Sequence, residues 1–298
     1  MTDQELHLGL ERDDDGYTTL TLMPNPANPR GGVVVLDEWL VDQLHLAMDQ
    51  VEADPPSKGF ILASGSERVF VAGADLAEIE SKDDDTLFAY LEKAQRAYLR
   101  ITNLECASVA IIGGSALGGG LEIAMHCDGL IALETPEGGK PYVVGLPEAG
   151  LGLCPGWGGT QMLPARVPAE DAIRATALGK PWKSDALPSD LFDMVVNDAT
   201  LLEKAARVWL REHPRNRTWD VPRCLDDMSG DVLTVALDQL EGELPDTESV
   251  RAVLECVRSG MADGFATGTE SERRLLVTLR HSEPAREKLE AFFARQGR

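Results

Sequence analysis

Two glutamates sit in surroundings that ordinary surface glutamates avoid. Glu122 closes the stretch GGSALGGGLE at residues 113–122, and Glu148 opens PEAGLGLCPGWGGTQ at 147–161. A lone glutamate on a helix is most simply a solvated side chain. Two of them, each embedded among glycines and apolar residues, are candidates for a carboxyl pair. Like charges held close together push one pKa upward, and an apolar pocket adds to that shift. Such a pair can divide acid and base work near neutral pH, and its titration belongs to the pair rather than to either member. The glycines allow tight turns and also let a ligand approach the backbone amides closely. The packing and functional readings are compatible, because the same turns present those amides.

Other constellations are weaker. Ser115, His126 and Asp128 contain the residue types of a nucleophilic triad, but the local pattern is G-G-S-A-L-G rather than G-x-S-x-G, and such triads draw their histidine from far along the chain. A structural His126 is the simpler expectation. Gly139-Lys140 is followed by Pro141, which rules out a P-loop, and no H-E-x-x-H or paired His/Cys set suggests a metal. Trp157 within PGWGG can line a pocket or pack; the sequence leaves both open.

The chain has 298 residues, 43% of them apolar and 26% charged, which describes a folded protein rather than a disordered one. Fifty acidic against 28 basic residues give a formal net charge of −22, with no long basic run, so nucleic acid and anionic membrane surfaces are excluded as partners. Arg30, Lys58 and Arg68 are the candidate local cations for an anionic ligand. Five scattered cysteines (Cys106, Cys127, Cys154, Cys224, Cys256) without C-x-x-C spacing fit a reducing compartment. The first residues lack a basic segment followed by an apolar run, and the longest uncharged stretch, 107–121, is too short and glycine-rich to span a bilayer. A cytoplasmic protein without membrane insertion is expected.

The elements that must carry these residues follow from pattern. YTTLTL at 17–22 reads as a strand after the turn-forming Asp15-Gly16, and GFILA at 59–63 as a strand buried on both faces of a parallel sheet. Apolar residues at Leu40, Leu44, Ala47, Met48 and Val51, and again at Leu87, Leu91, Ala94, Tyr98 and Ile101, mark amphipathic helices. Ser108–Ile112 is another buried strand, which delivers the chain to the first glycine stretch, so that strand, glycine turn and helix follow in order. A further strand is expected after Asp128. Beyond Gln161 the chain reads as mainly helical, clearest over 201–211, with a Pro/Arg-rich break at 213–223.

IGGSALGGGLEIAMHCD and GLPEAGLGLCPGWGGTQMLP together resemble the signature of the crotonase (enoyl-CoA hydratase/isomerase) family, and VFVAGADLAEI at 69–79 resembles its other signature. The connection ETPEGGKPYV and the tail from Val257 to Gln296 are most similar to the hydratase domain of multifunctional fatty-acid oxidation proteins. The resemblance implies an α/β fold, a crotonase-like spiral of β-β-α turns with a helical C-terminal region, divided as a catalytic core over 1–197 and a helical region over 198–298. It implies an oxyanion hole made by the backbone N–H groups of Ala74 and Gly119, with Gly119 at a helix start whose dipole favours the developing anion, and substrate contacts at Ala72, Asp75, Leu76 and Gly156. It assigns Glu148 as the acid that protonates C2 and Glu122 as the group that binds and activates water. The implied reaction is hydration of trans-2-enoyl-CoA to 3-hydroxyacyl-CoA. The alternatives are a Δ3,Δ2-enoyl-CoA isomerase working through Glu148 alone, and a non-catalytic acyl-CoA-binding or assembly subunit.

No cofactor is implied, since coenzyme A is part of the substrate. The implied partners are the acyl-CoA thioester, further copies in a homotrimer or hexamer, and a separate 3-hydroxyacyl-CoA dehydrogenase, because no such domain follows the tail. Two positions depart from the family pattern: Val34-Val35 stands where an Asn-Ala pair is common, and Asp190 where a glycine is usual. Neither touches the glutamates or the proposed amides.

Overall fold

A computed structural model gives the fold, and it describes residues 5–28, 30–66, 68–135, 138–215 and 221–296. Part of the Pro/Arg-rich break, residues 216–220, lies outside them. The first strands are β1 (Gly9–Arg12) and β2 (Tyr17–Leu22), joined antiparallel through the Asp-Gly turn. Helix α1 (Glu38–Ala53) starts where the Asp37 carboxylate accepts from the Leu40 amide, a side-chain N-cap. Its Leu40, Leu44, Ala47, Met48 and Val51 face are all buried.

Three turns of β-β-α follow. In each, the first strand joins one sheet and the second strand joins another. The first turn is β3 (Gly59–Ser64) and β4 (Val69–Val71), then α2 (Leu76–Ser81) and α3 (Asp84–Thr102). The second is β5 (Ser108–Ile112), β6 (Ser115–Leu117) and α4 (Gly119–Met125). The third is β7 (Gly129–Leu133) and β8 (Val143–Gly145), then the short helix α5 (Gly159–Met162) and α6 (Ala169–Ala177). Two small strands, β9 (Trp182–Lys183) and β10 (Met194–Val196), interrupt the stretch the sequence reads as mainly helical. They add to the edges of existing sheets and are too short to announce themselves by alternation.

The larger sheet runs β1-β2-β3-β5-β7-β10 and is parallel from β2 onward, with Ile61 beside Val109 and Ile111 beside Ile131. The smaller runs β4-β6-β8-β9, parallel except at its last pair. Parallel strands must be covered on both faces. One face of the larger sheet meets the main core, containing α1 and α3; the other is covered by α7 (Leu202–Glu212), whose Ala205, Ala206, Trp209 and Leu210 pack on Tyr17, Ile61, Val109 and Ile131. That approach is close: a Cβ at Gly129 would lie 2.6 Å from the Trp209 ring. The chain ends in α8 (Gly230–Glu241), α9 (Glu248–Leu279) and α10 (Glu283–Gln296). Helix α9 packs along α3, α5 and α6, so the C-terminal helices are built into the body that holds the site. Among the described residues no helix is long and apolar enough to cross a membrane.

Candidate active site

Glu122 lies one turn into α4 and is 1% exposed. The helix begins after Gly118, which has φ +52° and donates its amide to the Gly145 carbonyl at the end of β8, 2.9 Å away. Glycine is required there twice over. The backbone is left-handed, and a Cβ would lie 2.1 Å from Glu148 Oε1. The second glycine stretch therefore brings its glutamate to the mouth of the first. Glu148 heads a 3-10 turn, Glu148–Leu151, that Gly152 closes at φ +80°.

The two carboxyl groups are held differently. Glu122 Oε1 accepts the amides of Trp157 and Gly159, both at 2.8 Å. Glu148 Oε2 is buried without a hydrogen-bond partner. Burial is the main reason the Glu148 carboxyl is pushed up to about 8; the charge of Glu272 adds to the shift and its own backbone N–H opposes it. Burial also raises Glu122, helped by the charges of Glu272 and Glu148 and resisted by the Trp157 and Gly159 amides. Both carboxyls are thus pushed upward by burial, so the pair holds protons more tightly than free glutamates do, and the two amides on Glu122 Oε1 oppose that shift at Glu122.

Both glutamates line a cavity of about 510 Å³. Ala72, Ala74, Asp75, Leu76 and Gly156 line it too, so these positions named from the sequence come together around the carboxyl pair. Gly119 sits immediately behind, where a Cβ would meet the Trp157 ring at 2.4 Å and Leu36 at 2.7 Å. Among the described hydrogen bonds, neither the Ala74 nor the Gly119 amide has an acceptor, which leaves both available to a ligand oxygen. Helix α4 spans only seven residues, so these amides, more than a helix dipole, carry any oxyanion role. Asp75 caps α2 by accepting from the Ala77 amide at 2.9 Å, and also holds Arg30 in an ion pair. Of the three candidate cations, Arg30 alone is on the cavity wall; Lys58 precedes β3 and its amide bonds Gly16, and Arg68 precedes β4.

The alternatives in the sequence resolve. Trp157 both lines the cavity and packs: it is 2% exposed, its indole donates to the Leu91 carbonyl at 2.9 Å, and its rings meet Tyr90 and Tyr98 edge-on. His126 is a buried structural residue, held at 2.9 Å from the Thr102 hydroxyl and pushed down to about 3 by burial. Ser115 instead accepts from the Val143 amide, and Asp128 from the Ser108 amide and hydroxyl. A larger groove of about 840 Å³ lies beside the start of α3, walled by Asp83, Asp84, Arg280 and His281, and contains neither glutamate.

Two contributions were not read from the sequence. Leu276, Phe292 and Phe293 from α9 and α10 complete the cavity wall. Glu272, also on α9, is fully buried behind the PGWGGT loop and accepts from Gly158 N at 2.5 Å and from Thr160 N and Oγ1 at 2.8 and 2.5 Å. A signal existed in the glycines Gly260, Gly264 and Gly268, spaced by four and followed at the same spacing by Glu272.

Compared with known protein families, residues 32–220 match the one described as enoyl-CoA hydratase/isomerase. The chain belongs to that family. A fatty acid oxidation complex subunit alpha from Shewanella amazonensis is 29% identical over 282 residues, 90% of this chain and 38% of that protein. The chain therefore spans about two fifths of the length of that relative. Among solved structures, an enoyl-CoA hydratase from Bacillus halodurans superposes with a TM-score of 0.65 at 20% identity, covering 96% of this chain and 99% of that one. A human mitochondrial delta3-delta2-enoyl-CoA isomerase does so with a TM-score of 0.68 at 21% identity, covering 97% and 98%. The fold is thus the crotonase fold, shared by hydratases and isomerases alike.

Proposed function

We propose that this protein hydrates trans-2-enoyl-CoA thioesters to 3-hydroxyacyl-CoA. The observation that carries the reading is the pairing, in one cavity, of a raised Glu148 whose Oε2 has no hydrogen-bond partner with a Glu122 held by two backbone amides. With the thioester oxygen between the Ala74 and Gly119 amides, charge developing there in the transition state meets preorganised donors. Glu122 orients water and takes a proton from it as its oxygen adds to C3; Glu148 delivers a proton to C2. Atoms and charge balance over the cycle once the proton gained by Glu122 is returned to Glu148 through the pair or solvent. The family and the relative's name, a fatty acid oxidation complex subunit, support an acyl-CoA substrate; assembly as a homo-oligomer and passage of the product to a separate 3-hydroxyacyl-CoA dehydrogenase are further parts of the proposal.

The test is a panel of 2-enoyl-CoAs differing in chain length, with loss of the conjugated thioester absorbance followed on the purified protein. Turnover of at least one member is expected. No turnover across the panel, with saturated acyl-CoA still bound, would leave the binding-subunit alternative. A second reading, Δ3,Δ2 isomerisation, is favoured by one feature: Glu148 has a free oxygen without help from Glu122, and moving a proton between C2 and C4 needs one such group. The two separate on Glu122→Gln, which abolishes most hydration and leaves isomerisation much less affected.

A further inference from the structure

The loop behind the carboxyl pair is shared between two glutamates. Four consecutive backbone amides alternate: Trp157 and Gly159 donate to Glu122, Gly158 and Thr160 to Glu272. The left-handed Gly158, at φ +96°, turns the chain from Trp157 into the first residues of α5, and this turn presents successive N–H groups to two different acceptors. The Thr160 hydroxyl is oriented toward Glu272 because it accepts at 2.6 Å from Gln161 Nε2, which also donates to the Cys256 carbonyl at 2.9 Å. Gly260 and Gly268 admit that glutamine, since a Cβ at either would lie 1.7 or 2.4 Å from its amide group.

Glu272 itself is 0% exposed and does not line the cavity, so it does not touch substrate. Arg273 follows it on α9, and burial raises the Glu272 carboxyl while the Thr160 and Gly158 donors and the Arg273 charge oppose the shift. A buried carboxyl group costs stability unless its hydrogen bonds are made. Here they are made to the loop that fixes Glu122, and the cost of burying a third acid beside two others calls for more than packing.

We propose that Glu272 is a positioning residue for Glu122, acting through the shared Trp157–Thr160 backbone. Its side chain sets the loop, and the loop holds the Glu122 carboxylate at the angle needed for water. The catalytic arm rests on the proposed hydration; the structural arm does not. A displacement of about 1 Å at a reacting group can cost on the order of 10²-fold in rate.

The experiment compares wild type with Glu272→Gln, which keeps the volume but puts an NH₂ group against one of the loop amides, and with the milder Thr160→Val, which removes one donor and leaves the charge. Amide hydrogen exchange and turnover are read on the same preparations. The decisive amides are Trp157 and Gly159, which donate to Glu122 and not to Glu272. Both variants are expected to speed their exchange, Glu272→Gln more, and to lower kcat by about 10- to 100-fold and by less, respectively, with the affinity for butyryl-CoA within about two-fold of wild type. Faster exchange at Gly158 and Thr160 alone, or unchanged kcat in a folded Glu272→Gln protein that turns over enoyl-CoA, would overturn the proposal. If Glu272→Gln fails to fold, Thr160→Val carries the same criteria. If wild type hydrates nothing, the proposed function fails and the exchange pattern alone decides this inference.

Discussion

At the scale of single residues, the chemistry turns on a carboxyl group kept neutral by its surroundings. A Glu148 pushed up to about 8 carries its proton at neutral pH and loses it above that value, so hydration measured as kcat/KM against pH should fall as pH rises past about 8. The same shift bears on stability. An unfolded glutamate titrates near 4.3, so between that value and about 8 the folded chain holds a proton the unfolded chain has released. The Glu148 contribution to stability therefore declines as pH rises through that window and is neutral below it. Glu148→Gln removes the penalty. It should be inactive in hydration yet melt a few degrees above wild type at pH 8, with the difference vanishing near pH 4 in thermal scans. A variant no more stable than wild type at pH 8 would mean that solvation, not burial, governs this carboxyl.

Elements decide whether these residues meet, and here the sequence was legible to different depths. The strands at 17–22, 59–63 and 108–112 and the helices on Leu40 and Leu87 were written in their periodicity, because continuous apolar runs and three-four spacing are local signals. The pairing of Glu122 with Glu148 came from the family signatures, and both residues line one cavity. Glu272 was hard to read for a physical reason: the glycine spacing that leads to it is a weak cue, SERR reads as a solvated helix face, and its partner Thr160 lies 112 residues away. The tail's part in the cavity wall was hidden in the same way, since Phe292 and Phe293 acquire meaning only once α10 docks on the Glu148 turn. That docking is itself testable at Gly152, where φ is +80° and a Cβ would lie 2.8 Å from the Ala285 backbone. Gly152→Ala must strain the turn and push α10 away together. A loss of about 1–3 kcal/mol in denaturant unfolding is expected, with a fall in kcat because Glu148 moves with the turn. Full activity and stability would show that α10 yields freely and does not set the position of Glu148.

Over the whole molecule the dominant fact is charge. A formal net charge of −22 surrounds a cavity proposed to receive a CoA thioester, whose phosphates are anionic. Arg30, the cation on the cavity wall among the candidates, is already paired with the buried Asp75, so local attraction does little to offset the global field. Two opposite salt dependences are therefore distinguishable. Had a basic cluster dominated, added salt would weaken binding by screening attraction. Because long-range repulsion dominates instead, raising ionic strength from about 0.01 to 0.15 M, which shortens the screening length from about 30 to 8 Å, should tighten it. KM for an enoyl-CoA should fall by about two-fold or more over that range while kcat stays level, since the carboxyl pair is buried and screened little. Arg30→Gln should raise KM at every salt concentration by removing the cation on the cavity wall, without changing the sign of the trend. A KM that rises with salt in wild type would overturn this account and place a cationic CoA-binding surface elsewhere on the molecule, on a second copy of the chain or a partner subunit.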